Sequence, residues 1–374
     1  MYLENISLSY FKNYHHCRLK FSPAINCFTG PNASGKTNLL DAIHYLALTK
    51  SVFNPTDQQN IQHKQEYFSI RGDFRQDSKK HQIQCSYRNG AKKVIKRNNN
   101  AYPKLSEHIG AFPLVMITPY DTDLLREGSM VRRKFLDGLI SQINPQYLQD
   151  LLKYQRLLNQ RNQLLKTFSA RHQFDAQLIA AYDEPMLQLM KAISASRRDF
   201  LRDFVPVFKS HYSTLSQGNE TVDIAYRSEL LSKDFESRFL ANHQKDLLLQ
   251  RTDLGVHKDD MICSFDGHSV KKFGSQGQQK SFVIAMKLAQ FDSLQAAKRF
   301  KPVLLLDDIF DKLDDDRISK LMDMVSGQTF GQIFITDARP ERTARILENL
   351  DIEVLNFRVE AGTVELINET EAKG

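Results

Sequence analysis

The chain has 374 residues, is 41% hydrophobic and 25% charged, and carries a formal net charge of +7. That is ordinary composition for a soluble globular protein, and the length exceeds what one core usually holds, so two domains are expected. The basic excess suits contact with a polyanion but also occurs in proteins without one, and no uncharged apolar run approaches the ~18 residues that a membrane helix needs.

Taken in order, Tyr2–Tyr10 and His16–Phe21 alternate apolar and polar residues as half-buried strands do. This opening has no signal-peptide core. Ile25–Thr29 is a short apolar strand, and Lys36–Leu48 reads as a helix. Strand-like pieces follow at Tyr67–Phe74, Gln82–Tyr87 and Lys92–Arg97, the last after the turn pair Asn89-Gly90. Leu114–Thr118 is a further apolar run. From Tyr120 to Arg251 the spacing is mainly helical, with an interruption near Ser216–Tyr226. A strand–helix rhythm then returns: strands at Met261–Phe265, Pro302–Leu306 and Gln332–Thr336, helices after Gln279, from Asp314 and from Pro340, and a strand pair within Ile352–Ile367. The pattern predicts an α/β domain built from residues 1–119 and 252–374, with a mainly helical lobe, 120–251, inserted. Cys17, Cys27, Cys85 and Cys263 lack C-x-x-C spacing, so they are expected as free thiols of a cytoplasmic protein rather than metal ligands.

Between the strand at 25–29 and the helix from 36 lies Gly30-Pro31-Asn32-Ala33-Ser34-Gly35-Lys36-Thr37, a G-x-x-x-x-G-K-T phosphate loop. Backbone N–H groups of such a loop wrap a β-phosphate, and the helix N-terminus adds a favourable field. Lys36 is expected on the β/γ-phosphates of ATP and Thr37 on magnesium. A chance match is the alternative, and the flanking strand and helix argue against it. The apolar strand at Val303–Leu306 ends in Asp307 and Asp308, at the edge that faces ligands in an α/β sheet. Asp307 is expected to hold magnesium through water and Asp308 to polarise an attacking water; the alternative is that both merely end a strand. Asp314–Asp316 read as N-cap and helix-dipole residues.

A second polar, Gly-rich turn, Ser275-Gln276-Gly277-Gln278, opens the helix that follows. Alone it reads as an ordinary helix cap. The order of phosphate loop, this turn and the double-acid strand resembles the ATP-binding-cassette family. The resemblance implies that the turn caps the γ-phosphate held by a second subunit, so that two chains sandwich two ATP molecules.

Finer motifs resemble the RecF family of DNA-repair ATPases: LENISLSYFKNY, GPNASGKTNLLDAIHYL, EGSMVRRKFLD, DLGVHKDD and SQGQQK, in family order along essentially the whole chain. The fold class expected is therefore α/β, a cassette-type ATPase head with an inserted helical lobe. The resemblance implies a weak, DNA-stimulated ATPase used as a switch in replication, repair and the SOS response. It implies an ATP-dependent homodimer on duplex and gapped DNA, and help in loading RecA with RecR and RecO. Departures from the family pattern are Met130 and Val256, where proline is usual, and Lys280 in place of arginine. Asp311-Lys312-Leu313-Asp314 stands for the loop that touches the opposite subunit, and Asp337 lies where transporter cassettes place a histidine. An ATP-binding subunit of a transporter, or another cassette-type head, is the alternative.

For DNA contact the best basic cluster is Lys92, Lys93, Lys96 and Arg97 with Arg88, on the hairpin after Asn89-Gly90. A solvated edge hairpin is the competing explanation. Arg132 and Arg133 are expected as structural partners of acids between the lobes.

Overall fold

The computed structural model describes residues 1–216, 220–310, 315–326, 329–348 and 352–370. The chain opens with strands β1 (Tyr2–Phe11), β2 (Tyr14–Lys20) and β3 (Ile25–Thr29), helix α1 (Lys36–Leu48), and strands β4 (Tyr67–Gln76), β5 (Lys79–Arg88), β6 (Val94–Arg97), β7 (Asn100–Ala101) and β8 (Leu114–Ile117). Helices α2 (Asp123–Arg126), α3 (Ser129–Ile143), α4 (Pro145–Arg171) and α5 (Ala176–Ser216) follow. Next come β9 (Val222–Arg227), α6 (Phe235–Ala241), α7 (His243–Leu249), β10 (Asp260–Phe265), β11 (His268–Ser269), α8 (Val270–Phe273) and α9 (Gln276–Lys298). The last elements are β12 (Val303–Asp307), α10 (Asp315–Ser326), β13 (Ile333–Asp337), α11 (Pro340–Leu347), β14 (Val354–Glu360) and β15 (Thr363–Thr370).

Two compact units result: Met1–Asp121 with Lys280–Gly374, and Thr122–Gln279. The first holds two six-stranded sheets, one in the order β2-β1-β4-β5-β6-β7 and one in the order β15-β14-β3-β13-β12-β8. The first sheet is antiparallel throughout. In the second, β14, β3, β13, β12 and β8 run parallel. Strands β3, β8, β12 and β13 are buried at every position, which is why they read as mostly apolar runs rather than alternations. Helix α1 touches strands of both sheets. It buries Leu39, Leu40, Ala42, Ile43, Tyr45, Leu46 and Ala47, so its apolar residues run all round, as a helix between two layers requires.

In the second unit α4 and α5 form a long pair. Asn144 caps α4, its side chain accepting from the N–H groups of Gln146 (3.0 Å) and Tyr147 (3.2 Å), with Pro145 in the first turn. A three-stranded sheet, β11-β10-β9, completes this unit.

That sheet corrects the expected boundary after Arg251. Strand β10 pairs with β9, from Asp260↔Arg227 to Phe265↔Val222. Residues 252–279 therefore pack with the helical unit, and the chain returns to the α/β unit only at Lys280. The first boundary, expected after 119, falls after Asp121.

Candidate functional site

Parallel strands bring their carboxyl ends to one edge. Asp307 is level with Thr336, and Asp337 with Thr29. The loop Gly30–Thr37 springs from this edge. Gly30 has φ +149°, and a Cβ there would lie 2.1 Å from the Val359 carbonyl oxygen, so only glycine fits. Gly35 has φ +119°, and a Cβ would lie 2.4 Å from Asn13 Nδ2. No side chain caps α1, so its first N–H groups are available to an anion. The cleft there is lined by Asn32, Ala33, Gly35, Lys36, Thr37, Asn38, Asp308 and Thr336.

Lys36 folds back over the loop. Its Nζ donates to the carbonyl oxygens of Gly30 (2.7 Å) and Pro31 (2.8 Å). Burial lowers its pKa below the usual lysine value, while Asp308, Asp307 and Asp337 pull the other way. Ser34 Oγ is buried with no hydrogen-bond partner among the described residues. Asp307 is buried and accepts from Thr37 Oγ1 (2.9 Å) and Thr336 Oγ1 (2.8 Å). Burial raises its pKa, against the two hydroxyls that stabilise the carboxylate. Asp308 has φ +48°, a left-handed backbone uncommon for a side-chain-bearing residue. Its N–H donates to Thr336 Oγ1 (3.0 Å). Among the described residues no group of three or more His, Cys, Asp or Glu side chains could hold a metal. Thr37 and Asp307 are nevertheless hard oxygen donors side by side, and magnesium commonly takes one or two protein oxygens and keeps its waters.

Several residues that brace the loop lie in the motifs LENISLSYFKNY and GPNASGKTNLLDAIHYL, which gave them no role of their own. Asn13 lies in the β1–β2 turn and Tyr14 opens β2. Asn13 Nδ2 donates to the Ser34 carbonyl (3.0 Å), its Oδ1 accepts from Asn38 Nδ2 (2.8 Å), and Tyr14 OH donates to the Gly35 carbonyl (2.9 Å). From the β14–β15 turn, Gly362 N–H donates to the Ser34 carbonyl (3.0 Å). The buried pair Lys12–Asp41 (2.6 Å) ties the same β1–β2 turn to α1. The tight spacing of two alternating strands marks the turn in the sequence; nothing there says what it touches.

Asp337 is fully buried and engaged. Its carboxylate accepts from Arg342 Nη2 (2.7 Å) and Nε (3.2 Å), from Thr343 Oγ1 (2.7 Å) and from the Arg339 N–H (3.1 Å). It thus ties the strand end to the first turns of α11.

The turn Ser275–Gln278 forms a reciprocal cap at the start of α9. Ser275 Oγ accepts from the Gln278 N–H (3.2 Å), and Gln278 Oε1 accepts from the Ser275 N–H (2.7 Å). Gln278 Nε2 also donates to Glu220 (3.0 Å), and Gln279 Oε1 accepts from Arg126 Nε (2.8 Å). Ser275 and Gln276 are exposed, Gly277 and Gln278 half-buried.

Two expectations need correction. Lys93 is not a free cation of the hairpin. Its Nζ donates to the Thr49 carbonyl (2.6 Å), pairs with Asp57 (3.0 Å) and lies 5.0 Å from the centre of the Tyr45 ring. Arg97 also turns inward, its guanidinium 5.8 Å from the Phe112 ring centre and 3.2 Å from His81 Nδ1. Lys92 is exposed and Lys96 half-buried. Second, the arginine motif does not pair between lobes. Arg132 forms a fork with Asp260 (2.7 and 3.0 Å), and Arg133 donates to the Asp259 carbonyl (2.6 Å), all inside the helical unit. Asp311-Lys312-Leu313-Asp314 lies outside the described residues, as do the side chains of Asp315 and Asp316.

Comparison with known proteins narrows the assignment. The family model described as RecF/RecN/SMC N terminal domain matches residues 2–356. The DNA replication and repair protein RecF of Flavobacterium johnsoniae is 47% identical over 93% of this chain and 97% of its own length. That of Cytophaga hutchinsonii is 47% identical over 98% and 97%. A solved structure of the recombination mediator protein RecF-ATP in the RecFOR pathway superposes with a TM-score of 0.87 at 28% identity, covering 98% of this chain and 99% of the other. The fold is that of a cassette-type ATPase head, and the chain belongs to the RecF family of DNA replication and repair proteins.

Proposed function

We propose that the chain binds ATP with magnesium at Gly30–Thr37 and uses it to close two copies into a dimer on DNA. The observation that carries this reading is the set Thr37–Asp307–Thr336, hydrogen-bonded at the rim of a phosphate loop. The backbone N–H groups of the loop and of α1 hold the β-phosphate, and Lys36 leaves its two carbonyl partners for the β/γ-phosphates. Thr37 and Asp307 hold magnesium, which supplies charge neutralisation on the phosphate oxygens. Asp308 accepts the proton of the attacking water. The exposed turn Ser275–Gln278 of one copy covers the γ-phosphate bound by the other. Hydrolysis is slow and serves release.

The rest of the reading follows the family. The DNA is duplex with single-strand gaps, phosphates are held by surface cations including Lys92 and Lys96, and the work is done with RecR and RecO ahead of RecA. A relative solved with ATP is named within the RecFOR pathway. No helix among the described residues is long and apolar enough to cross a membrane; the cytoplasmic role follows the family.

Sedimentation velocity with and without ATP–magnesium and gapped duplex tests the reading. ATP should shift the chain from monomer to dimer, and Asp308→Asn should hold the dimer longer because it binds ATP but turns over slowly. Ser275→Arg should still bind ATP as a monomer. Dimerisation of Ser275→Arg at wild-type ATP concentration removes the partner-site assignment.

A further inference from the structure

The antiparallel sheet of the α/β unit has one face on the core and one in solvent. Its strand register sorts the solvent face into rows. One row crosses five strands: Arg18 on β2 opposite Ser7 on β1, Ser7 opposite Arg71 on β4, Arg71 opposite Gln84 on β5, and Gln84 opposite Lys96 on β6. Arg18 and Arg71 are exposed and Lys96 is half-buried. None of the three has an acid partner among the described residues. Lys20, in the next row, and Arg88, near the far end of β5, are exposed cations of the same face.

The acids of this face do not offset that row. Glu4 and Asp73 sit toward one end and are already engaged. Glu4 pairs with Arg75 (2.9 Å), and Asp73 with Lys80 (3.0 Å) while also accepting from Asn5 Nδ2 (2.9 Å). An ordinary solvated sheet face sets opposite charges across strands, because such pairs stabilise it. Lysines that guard a sheet edge against pairing belong on the outermost strands. Arg71 fits neither account: it lies on β4, between β1 and β5, with Ser7 and Gln84 as neighbours.

We infer that this outer face is a docking surface for the phosphate backbone of duplex DNA. The inference rests on the reading that the chain works on DNA, and it extends that reading from Lys96 to a face built by five strands. The row is four strand spacings long, about 19 Å at ~4.8 Å each, or roughly the axial rise of five to six base pairs. Guanidinium forks at Arg18 and Arg71 suit phosphate oxygens. Ser7, Ser69 and Gln84 between and beside them are neutral donors for further phosphate contacts. A flat face touches the backbone without entering a groove, so binding here is independent of base sequence.

The test uses the full chain with Arg18→Gln, Arg71→Gln and Lys96→Gln combined. Duplex affinity is followed by fluorescence anisotropy across a salt series, without nucleotide and then with ATP–magnesium. Loss of three phosphate contacts should make the negative slope of log K against log salt shallower by about 2.7 and weaken binding at least tenfold. Lys153→Gln, Arg156→Gln and Lys166→Gln, at exposed positions of α4, remove the same net charge. This control should keep the wild-type slope. Should the triple variant fail to fold, Arg71→Glu alone must still weaken binding at least tenfold. An unchanged slope in the face variant overturns the inference. So does an equal loss in the α4 control, which reduces the effect to net charge, or a variant that loses phosphatidylserine vesicles while keeping duplex affinity. ATP-driven dimerisation measured without DNA stays at wild type in the face variant. Its absence in the wild-type protein would instead sink the ATPase reading, and absence of any duplex binding by the wild type would sink the DNA reading.

Discussion

Both units bury ion pairs, Lys12–Asp41 and Arg342–Asp337 among those of the α/β unit, but the buried arginines of the helical unit and the phosphate-loop edge of the α/β unit hold charge differently. In the helical unit, buried arginines are matched by carboxylates. Arg161 donates to Asp183 (2.7 Å) and Asp246 (2.7 Å), and Arg197 to Asp137 (3.0 Å) and Asp259 (2.7 Å). In the α/β unit, the charged groups at the carboxyl edge of the parallel sheet are held mostly by neutral groups. Lys36 rests on two carbonyl oxygens and Asp307 on two hydroxyls. Ion pairs that complete one another fix a structure, and separating them is costly. A lysine and a carboxylate held apart by exchangeable neutral partners can be taken over by phosphate and metal. The paired buried charges of the long helices thus serve to hold that unit together.

The largest expected effect is on the helical unit. Arg161→Met leaves Asp183 and Asp246 buried without their cation, and breaking a buried pair in this way costs about 3–5 kcal/mol. Thermal unfolding should fall accordingly, while a calorimetric titration with ATP–magnesium should be unchanged where the protein is folded. A stability loss under 1 kcal/mol would mean that His243, which already faces Asp183 at 2.7 Å, takes over the pairing, and the contrast between the units would weaken.

Acid should strain both units by one mechanism. Burial holds His44 and His108 of the α/β unit and His257 of the helical unit at a pKa of about 4. Each is neutral in the folded state and protonates near 6.5 once unfolded. The unfolded chain therefore binds more protons between these values, so this stability is fully present above pH 6.5 and is lost as pH falls toward 4. At 1.36 kcal/mol per unit, the loss is at most ~3.4 kcal/mol for each histidine. His108 shows the cause directly: Nε2 donates to the Leu46 carbonyl (2.8 Å) and Nδ1 has no partner among the described residues. His108→Gln should flatten the denaturant midpoint against pH between 6.5 and 4; an unchanged profile would assign the acid sensitivity to the other two.

Lys36→Met reverses the pattern expected of Arg161→Met. It should weaken ATP–magnesium binding about a hundredfold, ~2.8 kcal/mol, with a smaller change in melting temperature than Arg161→Met, because the lost cation hydrogen-bonds only to carbonyl oxygens and feels Asp308, Asp307 and Asp337 through charge alone. Retained affinity in the titration would show that the backbone of the loop suffices.

Legibility in the sequence follows the same division. The phosphate loop is readable because a glycine must stand where backbone meets backbone, as at Gly30 against Val359, and because Lys and Thr must follow at fixed spacing. The parallel strands are readable because burial on both faces leaves mostly apolar residues, with polar ones such as Asp307 and Asp337 at the carboxyl ends. What is hidden is pairing across long separations. Asp259 and Asp260 of DLGVHKDD are buried partners of Arg197 and Arg132, and the strand after them pairs with β9; the strand–helix rhythm that resumes after Arg251 shows neither, so it sets the unit boundary too early. Lys93 looks like its neighbour Lys92 until Asp57 is folded against it.

The smallest expected effect concerns the brace of the loop. Asn13 joins the β1–β2 turn to the Ser34 carbonyl and to Asn38. Asn13→Ala removes both bonds, each worth about 1 kcal/mol net. Tyr14 and Gly362 still hold the Gly35 and Ser34 carbonyls, so the loop should persist but be less rigid. ATP–magnesium affinity should then fall about five- to tenfold, roughly 1–1.4 kcal/mol, with unfolding stability lowered by a similar amount. Asn13→Asp separates the two contacts. It keeps an acceptor for Asn38 and loses the donor to Ser34, and it adds a negative charge beside a phosphate site. Its affinity should therefore drop further than that of Asn13→Ala. Equal affinities for the two variants would mean that the β1–β2 turn supports the fold alone and leaves the loop to hold its own shape.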